Sequence, residues 1–482
     1  MITIDDILEE LKKHQLLEDK EMEIRRAYYL AEDIHKNQYR QSGEPYIIHP
    51  LHVAYNLLKM EVYDPDTISA ALLHDTIEDA EIEFTKEDVA HLINPTVAEL
   101  VDGVTKMRRM NFSTTNEQVL ANTRKIINGL TKDVRIIMIK LADRLHNMST
   151  LEFKKPQKQK ENAIETMELF VPLSLSIGAY RVKNELEDLS LQYIEPDAYQ
   201  RIKEKKDSLQ IEREKYLKEI ASKTQKTLLE RGISNDMIYR SQTVCTIYKK
   251  LQKGYKMENI YDLFYLKILV EEIEECYQTL CFVHQNYPPI NGRFKDYIYH
   301  PRTNFYQSLH TTVSDANGNL AKIKMRTFDM DKVAAFGIPA YWNIKRGKTQ
   351  EETQEMIREK CQFAKKLMEI DESFQDNEEF VHQIKGELLT EHVYAYDQSG
   401  EIFELPAGST ALDFVCQVYP DLLDKMTGVL INGMEMPLNY VLNHNDQVQI
   451  LTDGKINHEN WESFVSTPTA KQKVKSLLEL KK

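Results

Sequence analysis

The period of hydrophobic residues changes once along the chain, and that change limits the folds open to it. Over about the first two hundred residues, apolar side chains recur at three- and four-residue steps, the pattern of helices that bury one stripe. The runs "YYLAEDIHKNQ", "HPLHVAYNLLKM", "VRIIMIKLADRLHNM" and "KNELEDLSLQYI" carry it, and strand signals are scarce there. A charged helical stretch follows, "AYQRIKEKKDSLQIEREKYLKEIASKTQKTLLERG", with Gly232 placed to end it. Beyond Gly232 the texture turns to β-branched and aromatic residues with turn signals, as in "YDLFYLKILV" and "YPPINGRFKDYIYH". "DANGN", between "LHTTVS" and "LAKIKMRT", marks a hairpin.

A polar helical segment, "KTQEETQEMIREKCQFAKKLMEIDESFQDNEEF", precedes the last region. There "EHVYAYDQSGEIFELPAGSTALDFVCQVYP" reads strand, turn, strand, loop, helix, and "GVLINGMEM" and "DQVQILTD" supply two more strands. That order predicts a small β-grasp module of roughly seventy residues. The expected organisation is multidomain: an all-α domain over 1–196, an α/β domain over 197–347, a helical linker over 348–384, the β-grasp module over 385–453 and a C-terminal helical segment over 454–482.

The formal net charge of −14 argues against a general nucleic-acid coat, because phosphate binding needs a positive field. It leaves room for a local basic pocket. Cys245, Cys276, Cys281, Cys361 and Cys416 form no CxxC pair and read as reduced thiols. The acidic, amphipathic start "MITIDDILEELKKHQ" is unlike a signal peptide, and no apolar run approaches a membrane span. The expectation is a cytoplasmic protein with no membrane and no DNA partner.

Within the helical region, "ALLHDTIEDA" (residues 70–79) sets an imidazole and three carboxylates against apolar flanks. A solvated helix face is the bland account, yet Ala70 to Leu73 and Ile77 mark a side that is buried, and buried carboxylates need partners or a metal. Four candidate ligands lie in or beside such helical patterns: His49 in "YIIHP", His74 and Asp75 in "LLHDTIED", and Asp143 in "IKLADRLHN". Two imidazoles with two carboxylates suit a borderline-to-hard divalent cation such as Mn²⁺.

The order His, His-Asp, Asp resembles that of HD-domain metal-dependent phosphohydrolases. The words "HKNQYRQSGEPYIIHPLHVA", "AALLHDTIEDA", "ELVDGVTK", "DVRIIMIKLADRLHNMSTL" and "KNELEDLSLQYIEPDAY" resemble the hydrolase domain of the RelA/SpoT homologue family. "GRFKDYI", "NFYQSLHTT" and "MRT" resemble its nucleotidyltransferase-like synthetase domain, and "LPAGSTALDF", "VLING" and "DQVQILT" its ubiquitin-like TGS domain. The resemblance implies hydrolysis of guanosine tetra- and pentaphosphate at the 3′-pyrophosphate, giving GDP or GTP and pyrophosphate. It implies that His49, His74, Asp75 and Asp143 hold the metal, and that Glu78 and Asp79 are the acidic pair that orients or deprotonates water. Arg40 and Ser42 match the nucleotide-contacting loop; Asn147 and Thr150 match the rim of the guanosine pocket or pack the helix. Ser149 and Ser176 stand where the family usually has Arg, which implies altered affinity or regulation rather than lost hydrolysis.

The synthetase words depart further. Gln242 and Thr243 stand where the resemblance expects the Lys and His of an Arg-x-Lys-His run, although Arg240 and Lys250 remain. Lys322 replaces the Glu expected as base for the acceptor hydroxyl, and an ammonium cannot accept that proton at neutral pH unless its pKa is strongly depressed. Ala335 and Tyr341 replace an expected Glu and His, and Lys267 an expected Arg. Asp262, matching a metal-binding Asp, persists with Lys295, Asp296, Tyr306 and His310, where Tyr306 matches the residue that stacks on the acceptor guanine. The nucleotide site formed by Tyr306, His310, Lys295 and Asp262 either persists without donor chemistry or serves packing alone. In the TGS words, Tyr419 stands where ribosome-responsive members carry a His, which weakens the case for a ribosome or protein contact there. The family's zinc-finger and ACT domains lie outside this sequence. Three functions stay open: a hydrolase with an inactive synthetase domain, a bifunctional synthetase/hydrolase, and a non-enzymatic nucleotide sensor.

Overall fold

The computed structural model describes residues 2–14, 17–77, 84–105, 133–299, 301, 306–315, 318–338, 340, 392–443, 446–452 and 460–480. The expected linker over 348–384, the Glu78–Asp79 pair, Tyr341 and Cys361 lie outside them. The chain forms two compact units, Met1–Lys365 and Lys366–Lys482.

The first unit opens with α1 (Ile4–Lys13), α2 (Glu18–Ile34), α3 (Ile48–Lys59), α4 (Pro65–Leu73), α5 (Lys86–Leu92), α6 (Pro95–Thr105) and α7 (Val134–Ser149). α8 (Pro156–Glu165), a π turn over Thr166–Phe170, α9 (Val171–Ser176) and α10 (Tyr180–Ile194) complete the helical part. Local chemistry sets where α4 and α7 begin. Asp64 caps α4 by accepting from Thr67 N at 3.0 Å, with Pro65 at the first helical position. Asp133 caps α7 through Arg135 N at 2.9 Å. The buried Arg135 guanidinium then bridges Asp133 (2.7 Å) and Asp64 (3.2 Å), fixing the two helix starts to each other. Asn56 of α3 donates to the Ala142 carbonyl of α7 at 3.2 Å. These three helices bring His49, His74 and Asp143 together. α4 ends at Leu73, and residues 74–77, which carry the His-Asp pair, form a turn.

α11 (Pro196–Glu230) ends as the sequence suggests: Gly232 adopts φ 77°, and the N–H groups of Gly232 and Ile233 donate to the Leu229 and Leu228 carbonyls, both at 3.0 Å. Then come β1 (Asn235–Ser241), α12 (Val244–Gln252), β2 (Phe264–Val270), α13 (Ile273–Asn286), β3 (Lys295–Asp296), β4 (Leu309–Ser314), β5 (Leu320–Thr327) and α14 (Phe328–Phe336). The sheet order is β1-β2-β5-β4-β3, with β2 and β5 parallel and the other pairs antiparallel. The β4–β5 hairpin is the one "DANGN" marks. Leu266, Ile268, Val313, Ile323 and Met325 from one sheet face share a core with Leu217, Ile220 and Leu228 of α11. α10 locks onto this part. Its Asp188 accepts from the N–H groups of Val244 and Cys245 at the start of α12 (3.2 and 2.8 Å), and its fully buried Glu187 takes Lys183 and Lys249, each at 2.8 Å. Past α14, Gly337 has φ 68° and runs so close to the chain before α10 that a Cβ would lie 1.9 Å from the Ile177 carbonyl oxygen, so no other residue fits.

The second unit contains β6 (His392–Tyr396), β7 (Ile402–Pro406), α15 (Ala411–Val418), β8 (Gly428–Ile431), β9 (Met434–Met436), β10 (Val448–Leu451), α16 (Trp461–Phe464) and α17 (Pro468–Leu480). β6 pairs with β7, and β10-β8-β9 form a second ribbon. "GVLINGMEM", expected as one strand, is two: Asn432 and Gly433 take φ 53° and 81°, the paired positive values of a tight hairpin turn. α15 buries Phe414 in a core with Trp461. Its N-terminal Asp413, 1% exposed, is the hub of the unit. It accepts from Thr410 N (2.7 Å) in a capping box, and from Ser466 Oγ (2.7 Å), Thr467 N (3.0 Å) and Thr467 Oγ1 (2.8 Å) at the entry to α17. Replacing Asp413 by Ala strands several buried donors and should cost this unit at least about 3 kcal/mol. Urea unfolding of the full chain in a Trp342→Phe background, followed by Trp461 fluorescence, reads that loss as an earlier transition.

Candidate metal centre and the face of the second sheet

His49 enters near the start of α3, His74 caps the end of α4, Asp75 follows it, and Asp143 sits within α7. Both imidazoles are buried, at 3% and 1% exposure. Ligand atoms of His49, His74 and Asp143 lie within 4.8 Å of one another, a group that could hold a metal ion. Asp75 is not in that tight trio, but its Oδ2 lies 3.5 Å from His49 Nε2 and 3.2 Å from His74 Nε2. Asp143 Oδ1 lies 3.2 Å from His49 Nε2 and 3.9 Å from His74 Nε2.

Hydrogen bonds fix where the imidazole protons are. A guanidinium only donates, so Arg40, whose Nη1 is 3.0 Å from His146 Nδ1, makes that nitrogen an acceptor. His49 Nδ1 lies 2.8 Å from the same atom and therefore carries a proton. His74 Nδ1 donates to the Ala71 carbonyl at 2.8 Å. In the neutral tautomers both Nε2 atoms then carry bare lone pairs, and they face two carboxylates. His74 Nε2 is buried with no hydrogen-bond partner among the described residues. Lone pairs and anions converging in a dry pocket call for a cation, so the donor set fits a divalent metal. The electrostatics favour neutral His49 and His146, whereas the two carboxylates draw a positive charge, a proton or a metal ion, to His74 Nε2. Burial, with the His49 ring and Arg40 adding to it, pushes His146 down to about 2, so its Nδ1 is free to accept. Burial also lowers His49, against the pull of Asp143. His74 is raised: burial opposes its charge, but Asp75 and Asp143 outweigh that. Asp143 is lowered, because His49, Lys140 and His74 overcome its burial.

Asp143, His146, Asn147 and Thr150 fall at i, i+3, i+4 and i+7 on α7, one helix face. Asn147 bridges inward and outward: its Nδ2 donates to Asp143 Oδ1 at 2.5 Å, and its Oδ1 accepts from Arg40 Nη2 at 2.9 Å. Thr150 caps the helix through the His146 carbonyl at 3.1 Å. Ser42 donates to Glu44 within the turn that presents Arg40. Sequence reasoning missed two supports. His146 carried the i+3 signal from Asp143. Tyr46, whose hydroxyl donates to Asp75 Oδ2 at 2.7 Å, had no signal beyond its nearness to His49.

On the second sheet, Asp262 is 6% exposed and bridged by two ammonium groups, Lys250 at 2.6 Å and Lys322 at 3.1 Å. The residue standing for the expected base is thus ion-paired to the matched metal ligand. Lys267 pairs with Asp331 at 2.6 Å, and burial pushes its pKa down. Tyr306 is buried; its hydroxyl lies 2.8 Å from His310 Nε2, and its ring packs edge-on to Tyr180 of α10 and to Tyr297. Lys295 faces His310 across β3–β4. In the second unit the Tyr419 hydroxyl donates to Asp397 Oδ2 at 2.6 Å, a bond that raises its pKa to about 12.

Three family models match in order: an HD domain over 27–179, the region found in RelA/SpoT proteins over 239–349, and a TGS domain over 392–452. A guanosine-3′,5′-bis(diphosphate) 3′-pyrophosphohydrolase of Aquifex aeolicus is 36% identical over 99% of this chain and 67% of its own length. The chain belongs to the RelA/SpoT family. A GTP pyrophosphokinase of Myxococcus xanthus is 36% identical over 94% of this chain, and the bifunctional (p)ppGpp synthase/hydrolase SpoT of Escherichia coli 36% over 98%. This chain spans about three fifths of the Myxococcus protein and two thirds of the E. coli one. Names of RelA/SpoT relatives thus cover both synthesis and hydrolysis, and the residues must separate the two.

The hydrogen-bond chain gives a test of His146. Asn sets an acceptor near the position of Nδ1, whereas Gln sets its polar atoms near that of Nε2. His146→Asn should keep tight Mn²⁺ binding and His146→Gln should weaken it about 10–100-fold, as read by calorimetry on the apo chain. Equal binding by the two variants would remove His146 from this role.

Proposed function

We propose that the chain is a divalent-metal-dependent 3′-pyrophosphohydrolase of guanosine tetra- and pentaphosphate, acting in the cytoplasm and lacking synthetase activity. The observation that carries this reading is the pair of Nε2 atoms facing Asp75 and Asp143 in a buried pocket, with both Nδ1 atoms committed to hydrogen bonds on the far side of the rings. His49, His74, Asp75 and Asp143 would hold the ion, and their mixed nitrogen and oxygen set suits Mn²⁺. When bound, the ion supplies positive charge that polarises a phosphoryl oxygen and acidifies an attacking water.

The chain's own groups supply the rest. Arg40, held at the pocket mouth by His146 and Asn147, offers a planar fork to phosphate oxygens. Asn147 ties that fork to Asp143, so substrate contact and metal ligand share one bond network. Ser42, in the turn that presents Arg40, and Thr150, at the end of α7, would contact the nucleotide. Glu78 and Asp79 follow the 74–77 turn within a few residues and would take the proton from water. The absence of synthesis is supported by Lys322, which donates to Asp262 where a base is needed. No helix among the described residues is long and apolar enough to cross a membrane. A protein or ribosome contact through the TGS domain has weak support, because Tyr419 is engaged with Asp397.

The deciding assay is turnover of guanosine tetraphosphate with Mn²⁺ against a chelated control: activity should appear only with metal. Asp75→Ala should lose both metal and turnover, whereas Glu78→Gln with Asp79→Asn should keep the metal and lose about 10²–10⁴-fold in rate. Wild-type rates in the second variant would make the acidic pair structural.

Synthesis is tested separately by incubation with ATP and GDP. No AMP should form, and Lys322→Glu alone should not restore it, because Gln242, Thr243 and Ala335 still leave the donor phosphates unclamped. AMP release by the wild type would establish a bifunctional enzyme.

A further inference from the structure

Both carboxylates that face the buried imidazoles carry a hydrogen bond on the very oxygen that does the facing. Asp75 Oδ2 lies 3.2 Å from His74 Nε2 and 3.5 Å from His49 Nε2, and the same atom accepts from the Tyr46 hydroxyl at 2.7 Å. Asp143 Oδ1 lies 3.2 Å from His49 Nε2 and accepts from Asn147 Nδ2 at 2.5 Å. Asn147 serves its acceptor from one turn away on the same helix. Tyr46 belongs to the segment before α3 and reaches Asp75 from across the pocket, so its bond adds a constraint that the end of α4 does not supply.

Tyr46 is itself held firmly. Its N–H donates to the Gln38 carbonyl at 3.0 Å, and its carbonyl accepts from His49 N at 2.9 Å. Its ring stacks on the buried His35, with centroids 4.6 Å apart at 29°, and stands edge-on to His49 at 6.0 Å. Backbone and ring thus fix the hydroxyl, and the hydroxyl fixes the rotation of the Asp75 carboxylate with Oδ2 leading toward the imidazoles.

We infer that Tyr46 is a positioning residue that sets metal selectivity: its hydroxyl holds Asp75 to ligation through one oxygen and so disfavours Ca²⁺ relative to Mn²⁺. A carboxylate takes a divalent ion on one oxygen or on both. Turning Asp75 until both oxygens face the imidazoles would carry Oδ2 off the phenol and break a charge-assisted hydrogen bond. Ca²⁺ fills a shell of about six to eight oxygens and gains from two-oxygen carboxylates. A smaller ion with mixed nitrogen and oxygen ligands loses nothing by one-oxygen attachment, and it keeps positions for water and a phosphoryl oxygen. The two imidazoles already favour the smaller ion; the phenol keeps Asp75 from offering the larger one a second oxygen. This inference rests on the reading of the pocket as a divalent-metal site and needs no particular substrate.

Calorimetry on the metal-free full chain with Mn²⁺ and with Ca²⁺ tests it, together with the electron paramagnetic resonance signal of bound Mn²⁺ as excess Ca²⁺ is added. The wild type should hold Mn²⁺ against Ca²⁺. Tyr46→Phe keeps the ring and its stack but removes the donor. It should bind Mn²⁺ about tenfold more weakly, and the ratio of Ca²⁺ to Mn²⁺ affinity should rise about tenfold or more. His35→Leu removes the stacked ring and leaves the hydroxyl, so its ratio should stay near the wild-type value. Equal loss of both ions in Tyr46→Phe, or the same rise in His35→Leu, makes the role one of packing and overturns the inference. Mn²⁺ binding with an unmoved ratio in Tyr46→Phe removes this inference alone, whereas no Mn²⁺ binding by the wild type removes the metal-site reading and this inference with it.

Discussion

The proton on His49 Nδ1 is the small fact on which the first site rests. Arg40 cannot accept, so His146 must; His146 accepts, so His49 must donate; His49 donates, so its Nε2 is bare toward Asp143 and Asp75. The helical scaffold exists, in this respect, to keep that order. Arg135 pins the starts of α4 and α7 to each other, Asn56 ties α3 to α7, and the end of α4 delivers His74 with its own Nδ1 already committed to a carbonyl. A one-turn shift of α7 would break the Asp143–His146–Asn147 face and with it both the ligand and the anchor of Arg40.

The two sites of the first unit solve the same problem in opposite ways. Each buries carboxylates, and a buried carboxylate without compensation is costly. In the helical part lone pairs and anions converge, and among the described residues the ammonium near them is that of Lys140, 3.9 Å from Asp143. On the sheet, lysines from α12 and β5 close on Asp262. The first arrangement is incomplete without a ligand, and the second is complete before one arrives. That contrast, more than any relative's name, separates a hydrolytic from a synthetic reading.

Much of this was legible in the sequence, because it rests on local rules. The 3.6-residue period gave the helices, Gly232 the end of α11, "DANGN" the β4–β5 hairpin, and the His, His-Asp, Asp order the His49, His74 and Asp143 side chains that the helices bring together. What escaped was set by tertiary contact. Nothing local to "GEPYIIHP" says that the Tyr46 hydroxyl reaches Asp75. Asn432-Gly433 splits a strand because two consecutive residues accept positive φ, a turn signal hidden inside an apolar run. Nor does any local word say that α4 stops where His74 turns its ring back to Ala71. The burial of Tyr306 edge-on against Tyr180 joins residues far apart in the chain, a contact no local word of the sequence announces.

Four of the departures from the synthetase and TGS words close a bond. Thr243, in place of a His, caps α12 by accepting from Thr246 N. Lys322 completes the Asp262 bridge, Lys267 holds Asp331, and Tyr419 holds Asp397. Gln242 and Ala335 close none: the Gln242 Oε1 is buried without a hydrogen-bond partner among the described residues, and the Ala335 side chain has no polar atom. A group recruited into a buried ion pair is no longer free to move protons, because its charge is now part of what makes the fold stable. The sheet therefore keeps its shape without the metal that synthesis would need. Lys322, standing where the synthetase words lead one to expect a base, is held in that bridge as a donor to Asp262.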